Sequence, residues 1–131
     1  MSPIHWDDSY NVGQPEVDQQ HHEWVRIFNK LEQQLLTGEP WKNSEIQKQT
    51  LKEILDFTNL HFTTEEKLMD IMNYAQKVQH ARMHKEFSQK VYDQYRLILA
   101  GDIILNSELL KLIESWFMHH TATEDKRTFT S

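Results

Sequence analysis

The fold is decided by residues 46–72, IQKQTLKEILDFTNLHFTTEEKLMDIM, whose side-chain pattern has the period of an α-helix. Residues four apart on a helix lie on one face about one turn apart, so His61 and Glu65 share a face. They stand where a buried stripe would carry aliphatic residues, which indicates a ligand site. Steps of three and four residues define the stripe as Ile46, Thr50, Ile54, Phe57, His61, Glu65, Leu68 and Met72.

Three more stripes of the same period occur in the sequence, one before this segment and two after it, and each also contains histidine. His21 opens the first, His80 and His84 lie four apart in the third, and His120 ends the fourth. The stripes are His21, Trp24, Phe28, Leu31 and Leu35; His80, His84, Phe87, Val91, Tyr95 and Ile98; and Leu109, Ile113, Trp116 and His120, broadened by Leu112 and Phe117.

Four helices with short connections predict an all-α fold, an up-down-up-down antiparallel four-helix bundle. We expect residues 1–17 to form an N-terminal arm, residues 18–125 the bundle and residues 126–131 a frayed tail of one domain. Capping and helix-ending residues set the expected bounds. They are Asp18, Gly38 and Pro40 for the first helix, Asn43 or Ser44 and Asn73 for the second, Gly101 for the third, and Asn106 or Ser107 for the fourth.

Composition limits the function classes. The chain has 131 residues, of which 38% are hydrophobic and 26% charged, and these values indicate one ordinary globular domain. The net charge of −6 argues against nucleic acid or an anionic membrane surface as partner. No cysteine is present, so any transition metal must bind through nitrogen and oxygen, which leaves iron, copper, zinc, manganese or nickel.

The sequence shows no targeting or membrane segment. The start Met1–Asp8 lacks the basic residues and apolar run of a signal peptide. The most apolar stretch, Leu97–Leu105, is interrupted by Gly101 and Asp102 and is far shorter than the roughly 20 residues of a membrane span. We therefore expect no membrane insertion and a cytoplasmic location.

The four stripes converge on the bundle axis and bring several ligand-type side chains together. A lone buried histidine is more often a satisfied core residue, and a histidine–glutamate pair at this spacing is more often solvated. Unpaired polar groups in a core would each cost roughly 1–3 kcal/mol, which a metal centre would relieve. Five imidazoles, Glu65 and a carboxylate after His120 (Glu124 or Asp125) overfill one mononuclear site and fit two metals. Neither the Glu-x-x-His pairs of ferritin-like proteins nor His-Glu-x-x-His occurs.

Beyond these stripes, the chain resembles the hemerythrins, in particular bacterial hemerythrin domains. The resemblance covers nearly the whole chain, and its motifs stand in the family's order. They are Trp6-Asp7-Asp8-Ser9-Tyr10, Val12-Gly13, Pro15-Glu16-Val17-Asp18-Gln19-Gln20-His21, His61-Phe62-Thr63-Thr64-Glu65-Glu66, His80-Ala81-Arg82-Met83-His84 and Trp116-Phe117-Met118-His119-His120.

The resemblance implies a non-haem di-iron site that binds dioxygen reversibly. Carried over residue by residue, one iron would be held by three histidines and the other by two, with two bridging carboxylates and an oxo or hydroxo bridge. The implied ligands are His80, His84 and His120 for the first iron, His21 and His61 for the second, and Glu65 and Asp125 as bridges.

The carboxylate after His120 is ambiguous from geometry alone. On an ideal helix, Glu124 lies about 40° from His120 and Asp125 about 140° away, which favours Glu124. The family motif spaces its histidine and aspartate by five residues and favours Asp125. A π-type bulge in the last turn would reconcile the two, and the motif predicts Asp125 as the bridging carboxylate.

The predicted function is reversible dioxygen binding for storage, transport or delivery, without enzymatic activity. Trp24 and Phe117 are expected to line the oxygen pocket, while Glu66 and His22 should point away from the ligands. Dioxygen is the expected partner. The sequence does not identify a protein that would consume the oxygen. The alternatives are a di-iron peroxidase, ferroxidase or nitric-oxide-handling enzyme, and an oxygen or redox sensor, for whose signalling domain 131 residues leave no room.

Overall fold

The structure, a computed structural model, describes residue 4 and residues 6–37, 40–103 and 105–130, with side chains 36, 37 and 40–44 left aside. Four long helices make up most of this part of the chain: α1 (Pro15–Thr37), α2 (Pro40–Ile71), α3 (Lys77–Leu99) and α4 (Ser107–His120). Helix α2 packs between α1 and α3, and α4 packs on α1. The predicted all-α four-helix bundle with an N-terminal arm is confirmed.

Helix α1 begins three residues earlier than predicted. The side chain of Gln14, not Asp18, caps its first turn by accepting the backbone N–H of Val17 at 3.0 Å. The Asp18 carboxylate instead accepts the backbone N–H groups of Val12 and Gly13 at 2.8 and 3.1 Å. The bend at Gly13 has φ +83°, which glycine adopts readily. Asp18 therefore fastens the arm to the bundle.

Helix α2 also differs from the prediction at its start and along its face. It begins at Pro40 rather than after Asn43 or Ser44, a first-turn position that suits proline because no hydrogen bond is lost there. The expected stop at Gly38 lies outside the described residues. Ile46 and Met72 are exposed, while Leu51 and Met69 are buried, so the buried face is rotated slightly from the predicted stripe. Both His61 and Glu65 remain on it.

The ends of α2 and α3 follow the same Schellman geometry. After α2, Asn73 takes φ +53° and the Tyr74 N–H bonds to the Met69 carbonyl at 3.0 Å. After α3, Gly101 takes φ +79° and the Asp102 N–H bonds to the Leu97 carbonyl at 2.9 Å. The predicted ends at Asn73 and Gly101 are therefore right, and each falls just after the last helical residue.

The segment after α4 does not fray. A π-helical turn covers Thr121–Asp125 and leads directly into α5 (Lys126–Thr130). Thr128 is fully buried and lies beside His80. The expectation of a frayed tail over 126–131 is wrong for the described residues, because Thr128 is part of the packed interior.

The arm is held against the bundle at several points. The Asn29 side chain accepts the Ile4 N–H at 2.8 Å and donates to the Ile4 carbonyl at 2.9 Å. The Lys126 ammonium bonds to the Ser9 carbonyl, which joins the arm to α5. The ring of Trp6 contacts those of His21 and His22 at a tilt, with centroids 5.6 and 4.9 Å away. The arm thus closes the end of the bundle where His21 is buried.

One hydrophobic cluster fills most of the remaining interior, with a few buried polar side chains such as Glu32 and Gln47. Trp24, Phe28, Leu31, Leu51 and Phe117 are fully buried within it. No helix in the described part of the chain is both long and apolar enough to cross a membrane.

Candidate metal centre

Seven ligand-type side chains meet inside the bundle, all of them buried. Helix α1 contributes one, α2 and α3 two each, α4 one and the π turn one. They are His21, His61, Glu65, His80, His84, His120 and Asp125, the residues singled out in the sequence. His22 and His119 are exposed, and His5 lies outside the described residues.

One half of the cluster is made of three imidazoles. The Nε2 atom of His120 lies 3.0 Å from Nε2 of His80 and 3.1 Å from Nε2 of His84. An imidazole nitrogen carries either one proton or one lone pair, so the Nε2 atom of His120 can make a hydrogen bond with only one of the two other rings. Two nitrogens bound at right angles to a first-row metal at about 2.1 Å would also be about 3.0 Å apart. The spacing therefore fits a shared cation.

Each carboxylate presents one oxygen to each half of the cluster. Glu65 Oε1 lies 3.0 Å from His84 Nε2, whereas Oε2 lies 3.1 Å from His61 Nε2. Asp125 Oδ1 lies 3.1 Å from His120 Nε2, whereas Oδ2 lies 3.0 Å from His21 Nε2. The carboxylates thus stand between the three-histidine half and the two-histidine half.

The π turn is what brings Asp125 into the cluster. A π turn holds one more residue than an α turn, and the extra residue rotates the fifth position after His120 inward. Glu124 points outward instead and pairs with Arg127 at 2.9 Å. The structure places the carboxylate favoured by the motif in the cluster, not the one favoured by an ideal helix.

Three of the histidines are oriented by a partner at Nδ1, the outer ring nitrogen, which faces away from the cluster. Nδ1 of His61 lies 2.8 Å from Gln20 Oε1. Nδ1 of His80 lies 2.8 Å from Thr128 Oγ1. Nδ1 of His84 lies 3.0 Å from Glu66 Oε2. If Nδ1–H donates in each pair, the lone pair of Nε2 faces the centre, as a metal ligand requires.

Sequence reasoning missed these partners. Thr128 lay in the segment expected to fray, and Glu66 was expected to point away from the ligands. The expectation for Glu66 is wrong because its carboxylate reaches across to α3. The only signal in the sequence was adjacency, since Gln20 precedes His21 and Glu66 follows Glu65.

The buried charges shift the pKa values of the cluster. Burial would lower the pKa of His21, but the contacts of its ring with Asp125 and Glu65 outweigh burial and raise it to about 9. The pKa of His80 is raised to about 9 by the same balance. Burial would raise the pKa of Glu65, but the charge of His61 and the neighbouring imidazoles hold it well below its usual range. Without a metal, protons on His21 and His80 balance the charge of the two carboxylates.

Aromatic rings cover both halves of the cluster. The Phe117 ring meets the His21 ring edge-on, with centroids 5.7 Å apart, and lies 5.8 Å from the His61 ring. Trp24 stacks on Phe117 at 3.7 Å and donates its Nε1–H to Thr58. On the other half, Phe62 stacks on His84 and Trp116 on His120. Phe117 therefore contacts the two-histidine half directly, and Trp24 forms the layer behind it.

Comparison with known proteins agrees with this geometry. The family model described as the Hemerythrin HHE cation binding domain matches residues 12–130. The chain belongs to the hemerythrin family. It is 28% identical to a bacteriohemerythrin of Stenotrophomonas maltophilia (strain R551-3) over 126 residues, 96% of this chain and 79% of that protein. It is also 29% identical to a hemerythrin-like protein of Naegleria gruberi, over 96% of this chain and 91% of that protein.

Solved structures show the same fold. The crystal structure of a wild-type hemerythrin matches 99% of this chain and 100% of its own with a TM-score of 0.90, at 22% sequence identity. The crystal structure of a hemerythrin point mutant, in which a leucine is replaced by alanine, matches equally well, with a TM-score of 0.90 over the whole of both chains.

The family implies a di-iron centre, and the donor atoms fit one. Both oxygens of Glu65, Nε2 of His61 and Oδ1 of Asp125 are buried without a hydrogen bond to any described residue. Imidazole nitrogens stand within 3.0–3.6 Å of these oxygens, yet the donor directions do not meet them. Nitrogen and oxygen donors that converge in the interior without matched hydrogen bonds suit cations. Two overlapping donor groups, both containing Glu65 and Asp125, suit two ions.

Proposed function

We propose that this chain binds dioxygen reversibly at a non-haem di-iron centre and serves oxygen storage, transport or delivery. The observation that carries the proposal is the division of the buried cluster into two donor groups that share Glu65 and Asp125. Membership of the hemerythrin family, whose members are mainly oxygen-binding proteins, supports the same function.

The donor groups give each ligand a role in the proposal. His80, His84 and His120 would hold one iron, and His21 and His61 would hold the other. Glu65 and Asp125 would bridge the two irons, together with an oxo or hydroxo group. The iron pair, when bound, would supply electrons to dioxygen and take them back on release. The half with two histidines offers one protein ligand fewer, so dioxygen would bind on that side.

The protein's contribution on that side is to exclude water. Phe117 faces His21 and His61, and Trp24 backs Phe117 with a parallel ring. Both side chains are fully buried. A dry, apolar surrounding limits the water and protons that reach this half of the cluster, which would suit reversible binding.

Metal analysis tests the centre itself. We expect about two irons per chain after aerobic expression and purification without chelators. The neighbours His21 and His22 provide a matched pair, since His21 is buried in the cluster and His22 is exposed. His21→Ala should lose iron, whereas His22→Ala should keep it. One zinc per chain and no iron in the parent protein would refute the di-iron centre.

Optical titration tests the function. The reduced, iron-loaded protein is exposed to dioxygen, and the gas is then removed under argon. Full return of the spectrum over several cycles is expected of a reversible carrier. Irreversible oxidation with release of hydrogen peroxide would overturn reversible binding and favour a di-iron enzyme instead. The cytoplasmic location stays a prediction from the sequence.

A further inference from the structure

The outer partner of His84 differs in kind from those of the other oriented histidines. His61 meets the neutral amide of Gln20 and His80 meets the neutral hydroxyl of Thr128, but His84 meets the carboxylate of Glu66 at 3.0 Å. The Glu66 side chain is 38% exposed, while that of His84 is 2% exposed. An anionic group thus reaches from the surface to the outer nitrogen of a buried ligand.

The contact is built by one stretch of α2. Phe62 stacks on the face of the His84 ring with centroids 3.9 Å apart and planes 3° apart. Glu65 lies against Nε2 of the same ring, and Glu66 lies against Nδ1, each at 3.0 Å. Positions 62, 65 and 66 lie on one face of a helix. The orientation of His84 is therefore fixed on three sides, and the pair with Glu66 is not an incidental surface contact.

Glu66 also lies in a surface groove between α2 and α3. Arg82, His84 and Lys85 line the same groove. The three-histidine half therefore approaches the surface here. On the other half, His21 lies against Trp6 of the arm, and both His21 and His61 lie against Phe117.

We propose that Glu66 is a positioning residue that lowers the reduction potential of the iron pair by acting on the three-histidine half. A carboxylate that accepts the Nδ1–H bond makes the imidazole a stronger electron donor at Nε2. A stronger donor stabilises the more highly charged ferric ion over the ferrous ion. The inference rests on the proposed di-iron function and adds an asymmetry to it, because the two-histidine half has a neutral partner at His61.

The test measures the midpoint potential of Glu66→Gln by anaerobic spectroelectrochemical titration. Glutamine keeps an oxygen that can accept the Nδ1–H bond and removes only the charge. We expect Glu66→Gln to keep two irons and to lose about tenfold in the preference for ferric over ferrous iron, which raises the midpoint potential by about 59 mV. An unchanged potential at full iron content would overturn the inference.

Glu124→Gln is the matched control. Glu124, like Glu66, is adjacent in sequence to a central carboxylate, but it pairs with Arg127 and points away from the cluster. Its loss of charge should leave the potential unchanged. An equal shift in both variants would show that net charge, not the contact with His84, sets the potential, and would also overturn the inference.

Glu66→Asp supplies a second, independent variant. It keeps the charge but shortens the side chain, so it should raise the potential as Glu66→Gln does. Loss of iron from both variants would assign Glu66 to metal retention and overturn its role in the potential. Failure of the proposed function is distinguishable, because the parent protein would then lack two irons or reversible oxygen binding.

Discussion

At the scale of single residues, the neighbours Glu124 and Asp125 show how one position separates a surface carboxylate from a central one. Asp125 is fully buried and touches imidazoles of both halves. Glu124 pairs with the exposed guanidinium of Arg127. We expect Asp125→Ala to lose most of the iron, since a shared donor of both groups disappears, and Glu124→Ala to retain it. Iron per chain by plasma emission spectroscopy checks both variants, and the reverse ranking would contradict the placement of Asp125.

The raised pKa values of the histidines predict how metal binding responds to pH. In the metal-free protein, His21 and His80 hold protons up to about pH 9, and each must lose its proton to bind a metal. The affinity for a divalent probe such as Co²⁺ should therefore fall as pH decreases below 9, by about tenfold per pH unit for each proton released. Iron should leave progressively toward pH 5. A flat affinity between pH 9 and 7 would contradict this linkage.

The same protons make the stability of the metal-free fold depend on pH in the opposite direction to metal affinity. The pKa of these histidines is raised from 6.5 in the unfolded chain to about 9 in the folded one. The stabilisation they give the metal-free fold is fully present below about pH 6.5 and is lost as pH rises through 9. Urea unfolding of the metal-free protein should thus show lower stability at pH 9 than at pH 6.5, while metal affinity rises over that interval.

At the scale of helices, the sequence predicts the stripes but not how their ends are built. The six-residue stripe of α3 matches the buried face of that helix at every position, because a single period governs an uninterrupted helix. The π turn after His120 could not be read from propensity, since one extra residue in a turn leaves no compositional signal. The family motif alone pointed to Asp125. The Gln14 cap was missed because Asp18 is the stronger capping residue by type.

Helix α5 shows that a short terminal element can support a central residue. Thr128 is buried and holds Nδ1 of His80 at 2.8 Å. We expect Thr128→Val to keep the fold, because valine has nearly the same shape, and to weaken metal retention against a chelator roughly 10- to 100-fold. Thr130→Val serves as the control, since its hydroxyl bonds to the Lys126 carbonyl on the same helix and not to a histidine of the cluster. Equal chelator resistance in both variants would show that the His80 contact is dispensable.

At the scale of the whole molecule, the centre is enclosed differently on its two sides. The two-histidine half lies against the arm, with Trp6 beside His21, and against the aromatic layer of Phe117 and Trp24. The three-histidine half lies against Phe62 and Trp116 and close to the groove that holds Glu66. The sequence predicted that aromatic residues near His21 and His120 would matter. It could not show that Phe117 rather than Trp24 contacts the histidines, because that depends on how the helices pack against one another.

Substitutions in the aromatic layer of Phe117 and Trp24 can separate shielding of the oxygen site from ordinary core packing. Phe117→Leu keeps most of the apolar volume but opens the face toward His21 and His61. We expect it to keep two irons, to lose about 1.5 kcal/mol of stability and to speed autoxidation of the oxygenated protein, because water and protons gain access. Trp24→Leu should have a smaller effect on autoxidation, since Trp24 reaches these histidines through Phe117.

The decay of the visible absorption band of the oxygenated form measures the autoxidation rate. Phe28→Leu is the matched control. Phe28 is as fully buried as Phe117, but it stacks on Trp24 and is therefore one ring further from the histidines. Its replacement should cost similar stability and leave the decay rate near that of the parent. If all three variants decay at the parent rate with full iron content, the layer is core packing only. If Phe28→Leu accelerates decay as much as Phe117→Leu, loss of stability rather than loss of shielding sets the rate, and the proposed role of Phe117 fails.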